Sequence, residues 1–326
     1  MAKRKSLTKA QRDVCAVLPA SVGVASSISW LDSAECLSMI NRKLFSQEKC
    51  YGISDIQFYY EPSASYDTVV VSANVMGDTW SVHNAWTKGK ALFDEMQQLV
   101  LADNPSIKPG WHDFKIFLTK EQRTNWLTGS GNLAPITNGA AYVPGEWQYS
   151  RYVLPEHSVD PATGDPLDAD ETYAHMIGPD QGTFPDWLSV GLLNAYQESR
   201  STVQLNTPNV PPGMSESFFN KLTDSGSQEP ELAQTIEIDN DNPPYDLDNY
   251  PWGAVNASTP VIASFDVANV ASPNGMLTGF IAQCGLIEFE TQAFLNGAQV
   301  EAPEILVKIA YAPCAYKGVA AIDMGQ

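Results

Sequence analysis

The sequence predicts an all-β protein, a sandwich of eight antiparallel strands with helices confined to the loops, and three observations carry that prediction. Runs of β-branched and aromatic residues recur from residue 53 to residue 311, the pattern of half-buried or buried strands. Helical spacing is clear in only two places, and both interrupt the strand series instead of alternating with it, which favours antiparallel pairing over a parallel α/β sheet. With 326 residues, 44% of them hydrophobic and 10% aromatic, the chain can bury a full core.

The strands follow in order. Residues 53–60 (ISDIQFYY) and 67–76 (DTVVVSANVM) are strand runs separated by 61–66, which read as a hairpin loop. Further strands are expected at 112–118, 147–153, 171–177, 260–268, 277–290 and 304–311. The last two are long apolar runs joined by a mostly polar segment, the pattern of a central antiparallel pair. Helices are expected at 84–101, where Trp86, Phe93, Met96 and Val100 share a face, and at 187–199, where Trp187, Val190, Leu193 and Tyr196 do so. No low-complexity linker divides these segments. Residues 1–40 therefore read as a basic arm and lead-in, and 41–326 as one domain with long acidic loops at about 151–250.

Charge is segregated. Of 19 Lys and Arg, five (Lys3, Arg4, Lys5, Lys9 and Arg12) fall in the first twelve residues, which hold no acid; the remaining fourteen face 38 Asp and Glu. A +5 arm on a strongly anionic body suits a terminus that sits on a polyanion, nucleic acid first among them. Arg42 and Lys43, with Lys49, form a looser second basic group. Residues 151–250 hold 18 acidic side chains against Arg151, Arg200 and Lys221, a solvated face directed away from whatever the arm binds.

Catalytic patterns are missing from the sequence. The histidines are His83, His112, His157 and His175, none spaced for metal ligation, and His112 next to Asp113 would point to the opposite face of a strand. Ser130 lies in a Gly-Ser-Gly turn without the GxSxG form. Neither a phosphate loop nor a GxGxxG turn occurs, and the five scattered cysteines have no CxxC spacing. Asp239, Asp241, Asp246 and Asp248 form the one ligand-like cluster, a loop stiffened by Pro243 and Pro244. Pro244 stands where an EF-hand needs Gly, so Ca²⁺ held by this loop between subunits, with oxygen ligands from two chains, is an expectation secondary to a solvated acidic turn. No other cofactor is called for. No apolar run reaches the roughly 18 residues of a membrane span, and Pro19 with the Ser-rich continuation weakens any secretion signal in 14–30.

The basic start followed by TWSVHNAWTKGKALFDEMQQLVL (79–101), NPSIKPGWHDFKIFL (104–118), GLLNAYQESRSTVQ (191–204) and DNPPYDLDNYPWG (241–253) resembles, in organisation across residues 40–315, the capsid proteins of small circular single-stranded DNA viruses (CRESS-DNA-like, of the marine metagenomic type). The resemblance implies a single eight-stranded jelly roll that self-assembles into an icosahedral shell. It implies a non-enzymatic virion protein whose partners are further copies of itself, a single-stranded DNA genome and a host receptor, with no membrane. Arms in that family are often long and Arg-rich, whereas this one is short and the chain's pI is about 4.4. Two other classes stand beside this one: a glycan-binding or adhesive β-sandwich, Ca²⁺-dependent through the Asp loop, and a secreted β-fold hydrolase.

Overall fold

A computed structural model describes residues 10–23, 26–107, 113–129, 131–137, 140–142, 147–154, 170–183, 186–201 and 259–325. In chain order the first elements are β1 (Asp13–Leu18), β2 (Ser26–Asp32), α1 (Ser33–Asn41), β3 (Lys49–Tyr60), β4 (Thr68–Val75), α2 (Trp80–Asp103), β5 (Phe117–Thr119), α3 (Lys120–Leu127), β6 (Ile136–Thr137) and β7 (Ala140–Ala141). They are followed by β8 (Arg151–Leu154), β9 (Asp170–Ile177), β10 (Gln181–Thr183), β11 (Asp186–Gly191), α4 (Leu192–Ser201), β12 (Val261–Asn269), β13 (Asn274–Ala282), β14 (Leu286–Leu295), β15 (Ala298–Val300), β16 (Ile305–Tyr311) and β17 (Ala321–Asp323). The chain is mostly β, and most of its strand pairs are antiparallel. Its contacts gather into two compact units where one domain was expected: Met1–Met76, Asn125–Trp147 and Val261–Met324 form the first, Gly77–Thr124, Gln148–Pro260 and Gly325–Gln326 the second.

The first unit holds two sheets. One runs β1-β16-β3-β13, with β17 also on β3; the other runs β12-β4-β14, with β2 and β15 on the far side of β14. Period-two alternation decides which face each strand buries. Val14, Ala16 and Leu18 of β1 are buried, as are Ile305, Val307 and Ile309 of β16, Ile56, Phe58 and Tyr60 of β3, Val69, Val71 and Ala73 of β4, and Ile287 and Phe289 of β14. Each large apolar side chain buried in this way contributes about 1.5–3 kcal/mol before chain entropy is set against it. On the other face of the second sheet, Glu288 is buried and accepts from Trp30 Nε1 at 3.0 Å and from Asn74 Nδ2 at 3.3 Å.

Three sequence expectations are corrected here. Residues 61–66 do not close a hairpin, because β3 and β4 lie in different sheets and the loop carries the chain between them. The run 277–290 is two strands, broken where Cys284 (φ 53°) and Gly285 (φ 68°) turn in the left-handed region. Neither half pairs with β16: β13 and β16 flank β3 on opposite sides, and β14 is central in the other sheet. Finally, the segment assigned to the arm and lead-in supplies β1, β2 and α1, which are integral to the first unit.

In the second unit β10-β11-β9-β5 form one sheet, with β8 also on β9. The pairs β11–β9 and β5–β9 are parallel, against the antiparallel expectation; the chain from β5 to β9 is long enough to cross over, whereas β9 and β11 are separated only by 178–185, which include β10. Residues 187–191 are strand and only Leu192–Ser201 helix: the spacing of Trp187, Val190 and Leu193 is helical, but Ser189, Val190 and Gly191 pair with Tyr173, Ala174 and His175 of β9, and that long-range pairing decides. Helix α2 is capped by Thr79, which accepts from Val82 N. Gly89 in α2 lets Tyr152 Oη donate to its carbonyl at 2.7 Å, and a Cβ there would sit 2.9 Å from Leu192. Thr119 and Gln122 cap α3, the Gln122 N–H donating to Thr119 Oγ1 and Gln122 Oε1 accepting from Leu118 N, one residue before the N–H that a capping box uses. No helix among the described residues is long and apolar enough to cross a membrane.

Candidate nucleic-acid interface

The arm enters the described structure at Ala10, and the residues after it are pinned. Gln11 N donates to Asn41 Oδ1, and Asn41 Nδ2 donates back to the Gln11 carbonyl, both at 2.9 Å. The Arg12 carbonyl accepts from Tyr311 N at 3.1 Å. Asn41 is the last residue of α1, and Arg42 caps the helix in the left-handed conformation at φ 50°, ψ 42°. Arg12, Arg42 and Lys43 are thereby brought to the place where the arm leaves the sheet, and Arg42 and Lys43 are exposed. Two cations at a helix C-terminus also complement the negative end of its dipole.

A residue that sequence reasoning missed joins them. Lys317, exposed and at φ 51° in the turn before β17, donates through Nζ to the carbonyl of Leu44, two residues beyond Arg42. Its ammonium lies 5.0 Å from the ring centroid of Tyr316 and 5.4 Å from that of Phe45. Lys49 approaches the same Tyr316 ring at 4.5 Å, but it is paired with Asp323 and adds no net charge. Its local sequence, Tyr316-Lys317-Gly318, does not reveal its neighbour 273 positions earlier. Arg12, Arg42, Lys43 and Lys317 can hold phosphate oxygens, and nothing in their exposed geometry reads a base edge. Lys3, Arg4, Lys5 and Lys9 lie outside the described residues, as do Asp239, Asp241, Asp246 and Asp248 with the Ca²⁺ expectation they carry. Among the described residues no group of three or more His, Cys, Asp or Glu is placed to hold a metal ion.

A concavity of about 700 Å³ lies on the first unit, between the β3–β4 loop and the start of β16. Tyr59, Tyr66, Pro62 and Pro303 give it apolar walls, with Glu61 and Glu304 at its margins. In the second unit His175 and Ser189 are hydrogen-bonded at 2.7 Å from Nδ1 to Oγ, and His175 Nε2 reaches the Pro179 carbonyl at 3.2 Å. Both side chains are fully buried, and burial pushes the imidazole down to about 4. A sealed, neutral histidine held at both nitrogens is an internal strut with no path for a substrate. His83 bonds Asp78 at 2.7 Å and accepts from Gly325 N, while His112 and His157 lie outside the described residues. All five cysteines are free.

Two buried carboxyl groups stand at the start of α1. Asp32 caps the helix by accepting from Ala34 N at 2.9 Å and Glu35 N at 3.2 Å, and it also accepts from Gln47 Nε2 at 2.8 Å. Glu35 is buried beside it, bonded to Asn132 Nδ2 at 2.8 Å. Burial first, and the neighbouring Asp32 charge second, push the Glu35 carboxyl up to about 8.

No protein-family model matches the chain, and no curated protein or solved structure is significantly similar to it.

Proposed function

We propose that this chain is a self-assembling capsid subunit whose first unit is an eight-stranded jelly roll and whose arm contacts a single-stranded DNA genome. The observation that carries the reading is the strand order. Setting aside the short strands β15 and β17, the two sheets of the first unit read β1-β16-β3-β13 and β2-β14-β4-β12. Consecutive long strands change sheet except at β4 and β12, which are neighbours in one sheet, and each early strand is answered by a late one, an order that supports two Greek keys in a jelly roll. On this reading the second unit is an elaboration inserted in the chain between the fourth and fifth long strands.

The cationic group at the arm's exit supports the genome contact. Each phosphate neutralised releases about one counterion, so a single copy binds weakly and in a salt-dependent way. Many copies on the inner surface of a shell act together and supply the affinity that one lacks. No catalytic role is assigned. Negative-stain microscopy of the purified protein tests assembly, with shells expected and small monomers or dimers counting against it. Deleting residues 2–9, which stops short of the Gln11–Asn41 pair, tests the arm: particles should persist with a lower ultraviolet absorbance ratio of nucleic acid to protein. An unchanged ratio would remove the arm from packaging.

A second reading is favoured by the tyrosine-walled concavity, because aromatic faces with carboxylates at their margin are the means by which a sandwich takes up a sugar. Glycan binding that is lost in Tyr59→Ala, with no particle formed by the parent chain, would support it over the capsid reading.

A further inference from the structure

The outward face of the sheet β1-β16-β3-β13 carries the tyrosine-walled concavity further than its own walls. Strand register sets two rows there. Val17 lies opposite Leu306, Leu306 opposite Tyr59 and Tyr59 opposite Asn274; two residues along, Lys308 lies opposite Gln57 and Gln57 opposite Met276. The neighbours of Leu306, Lys308, Gln57 and Tyr59 along their own strands are all buried, so these four face away from the core, and Asn274 and Met276 beside them are exposed. A concavity of about 550 Å³ occupies this face, walled by Gln57, Asn274, Met276 and Lys308, and it shares Tyr59 and Leu306 with the first. The two adjoin as one groove with the half-exposed Tyr59 ring at its middle. From Val17 on β1 to Asn274 on β13 is three strand spacings, about 14 Å, longer than one sugar ring.

The polar groups along the groove select its ligand. At one end Glu61 and Glu304 are exposed, and neither carboxylate has a partner among the described residues. Carboxylates accept hydrogen bonds and donate none, so this end calls for donors. Beyond Tyr59 the polar groups are the neutral amides of Gln57 and Asn274, together with Lys308, whose ammonium stands 3.6 Å from Asp13 and is balanced by it. An anionic ligand would meet two unpaired carboxylates and no free cation. A cationic peptide would find its complement at the Glu61 and Glu304 end alone. A sugar chain presents hydroxyl donors and acceptors along its whole length and an apolar ring face for the tyrosine and for Met276 and Leu306.

We propose that this groove binds an uncharged oligosaccharide longer than a disaccharide. One ring lies on the face of Tyr59, with its hydroxyls donating to Glu61 and Glu304, and the following units run over Met276 between the amides of Gln57 and Asn274. This ligand class rests on the glycan reading of the concavity, and it holds whether or not the chain assembles into shells.

The test is a printed array of neutral, sialylated and sulfated glycans of graded length, probed with the labelled full chain, followed by titration of the best-retained glycan and of the disaccharide cut from it. Neutral tetrasaccharides or longer should dominate, with an affinity at least about tenfold above that of the disaccharide. Gln57→Ala with Met276→Ala should abolish that gain and leave disaccharide binding as in the wild type, whereas Tyr59→Ala should lose both. All three side chains are exposed, and unchanged thermal melts verify that the variants fold. Equal affinity for the short and long glycans, or a gain that survives the double variant, would confine the ligand to the first concavity, overturning the extended groove while the glycan reading stands. A preference for sialylated or sulfated glycans would overturn the uncharged class, again with the glycan reading intact. No glycan retained would sink both, and binding of tetralysine in that case would reassign the carboxylates to a basic peptide.

Discussion

Replacing Glu35 by Gln should make the protein more stable in mild alkali and leave it unchanged in mild acid. The carboxyl is raised from about 4.5 in a free side chain to about 8, chiefly by burial and then by Asp32. Between those values the folded chain holds a proton that the unfolded chain has released, so stability falls as pH rises. The slope is about 1.36 kcal/mol per pH unit for one group. From pH 5 to pH 8 the wild type therefore loses on the order of 4 kcal/mol through this residue. The group is buried, so solvent does not screen the effect. Glu35→Gln keeps an oxygen for Asn132 Nδ2 and cannot ionise. Its urea midpoint should match the wild type near pH 5 and exceed it clearly at pH 8, with Tm higher there by roughly 10 °C. Parallel pH profiles for the two proteins would refute the assignment of this slope to the Asp32–Glu35 pair.

Other outcomes follow from features already described. His175 titrates in the opposite sense: its folded value of about 4 lies below the free value of 6.5, so its contribution is complete above 6.5 and is lost as pH falls toward 4. His175→Gln should flatten that acid limb in denaturant titrations between pH 4 and 6.5. Gly285→Ala should cost more than ~2 kcal/mol by urea unfolding, since the residue sits at φ 68° and a Cβ would stand 2.9 Å from Tyr51 and 3.0 Å from Ser33. Arg42→Glu with Lys317→Glu removes a cation from the end of α1 and the Lys317 bond to Leu44, so it should lower Tm by a few degrees, and it should reduce the salt slope of DNA binding by about two units, one per phosphate contact. An unaltered slope would place the contact elsewhere.

Strands whose side chains alternate cleanly are legible in the sequence. The Val69-Val71-Ala73 series of β4 and the Ile305-Val307-Ile309 series of β16 fall inside the expected runs because burial on one face imposes the period. β1 was not legible, because six residues straddling a basic start and a proline look like a lead-in. The break at Cys284 was hidden for another reason: a non-glycine residue at positive φ carries no compositional mark. Sheet membership was the larger loss. A six-residue loop with a proline serves a hairpin and a crossing between sheets equally well, and only long-range pairing decides which. At the candidate interface, Arg42 and Lys43 were visible as charges near one another, while Lys317 joins them only through the fold.

The placement of β16 has a consequence for the order of events on the ribosome. This strand lies between β1 and β3, with Asp13 facing Ala310 on one side and Tyr60 facing Ile305 on the other. When β1 and β3 emerge they have no hydrogen-bonding neighbour in common, and none is synthesised until residues 305–311. The nascent chain must hold open apolar strands while the whole second unit is made, a wait during which exposed edges invite the wrong partner. The second unit's continuous stretch from β8 to α4 has no such dependence and can gain structure first. A pulse-labelled synthesis followed by limited proteolysis would accordingly yield protected fragments from 148–201 before any from 13–75, with protection of the latter arriving abruptly once β16 clears the exit tunnel.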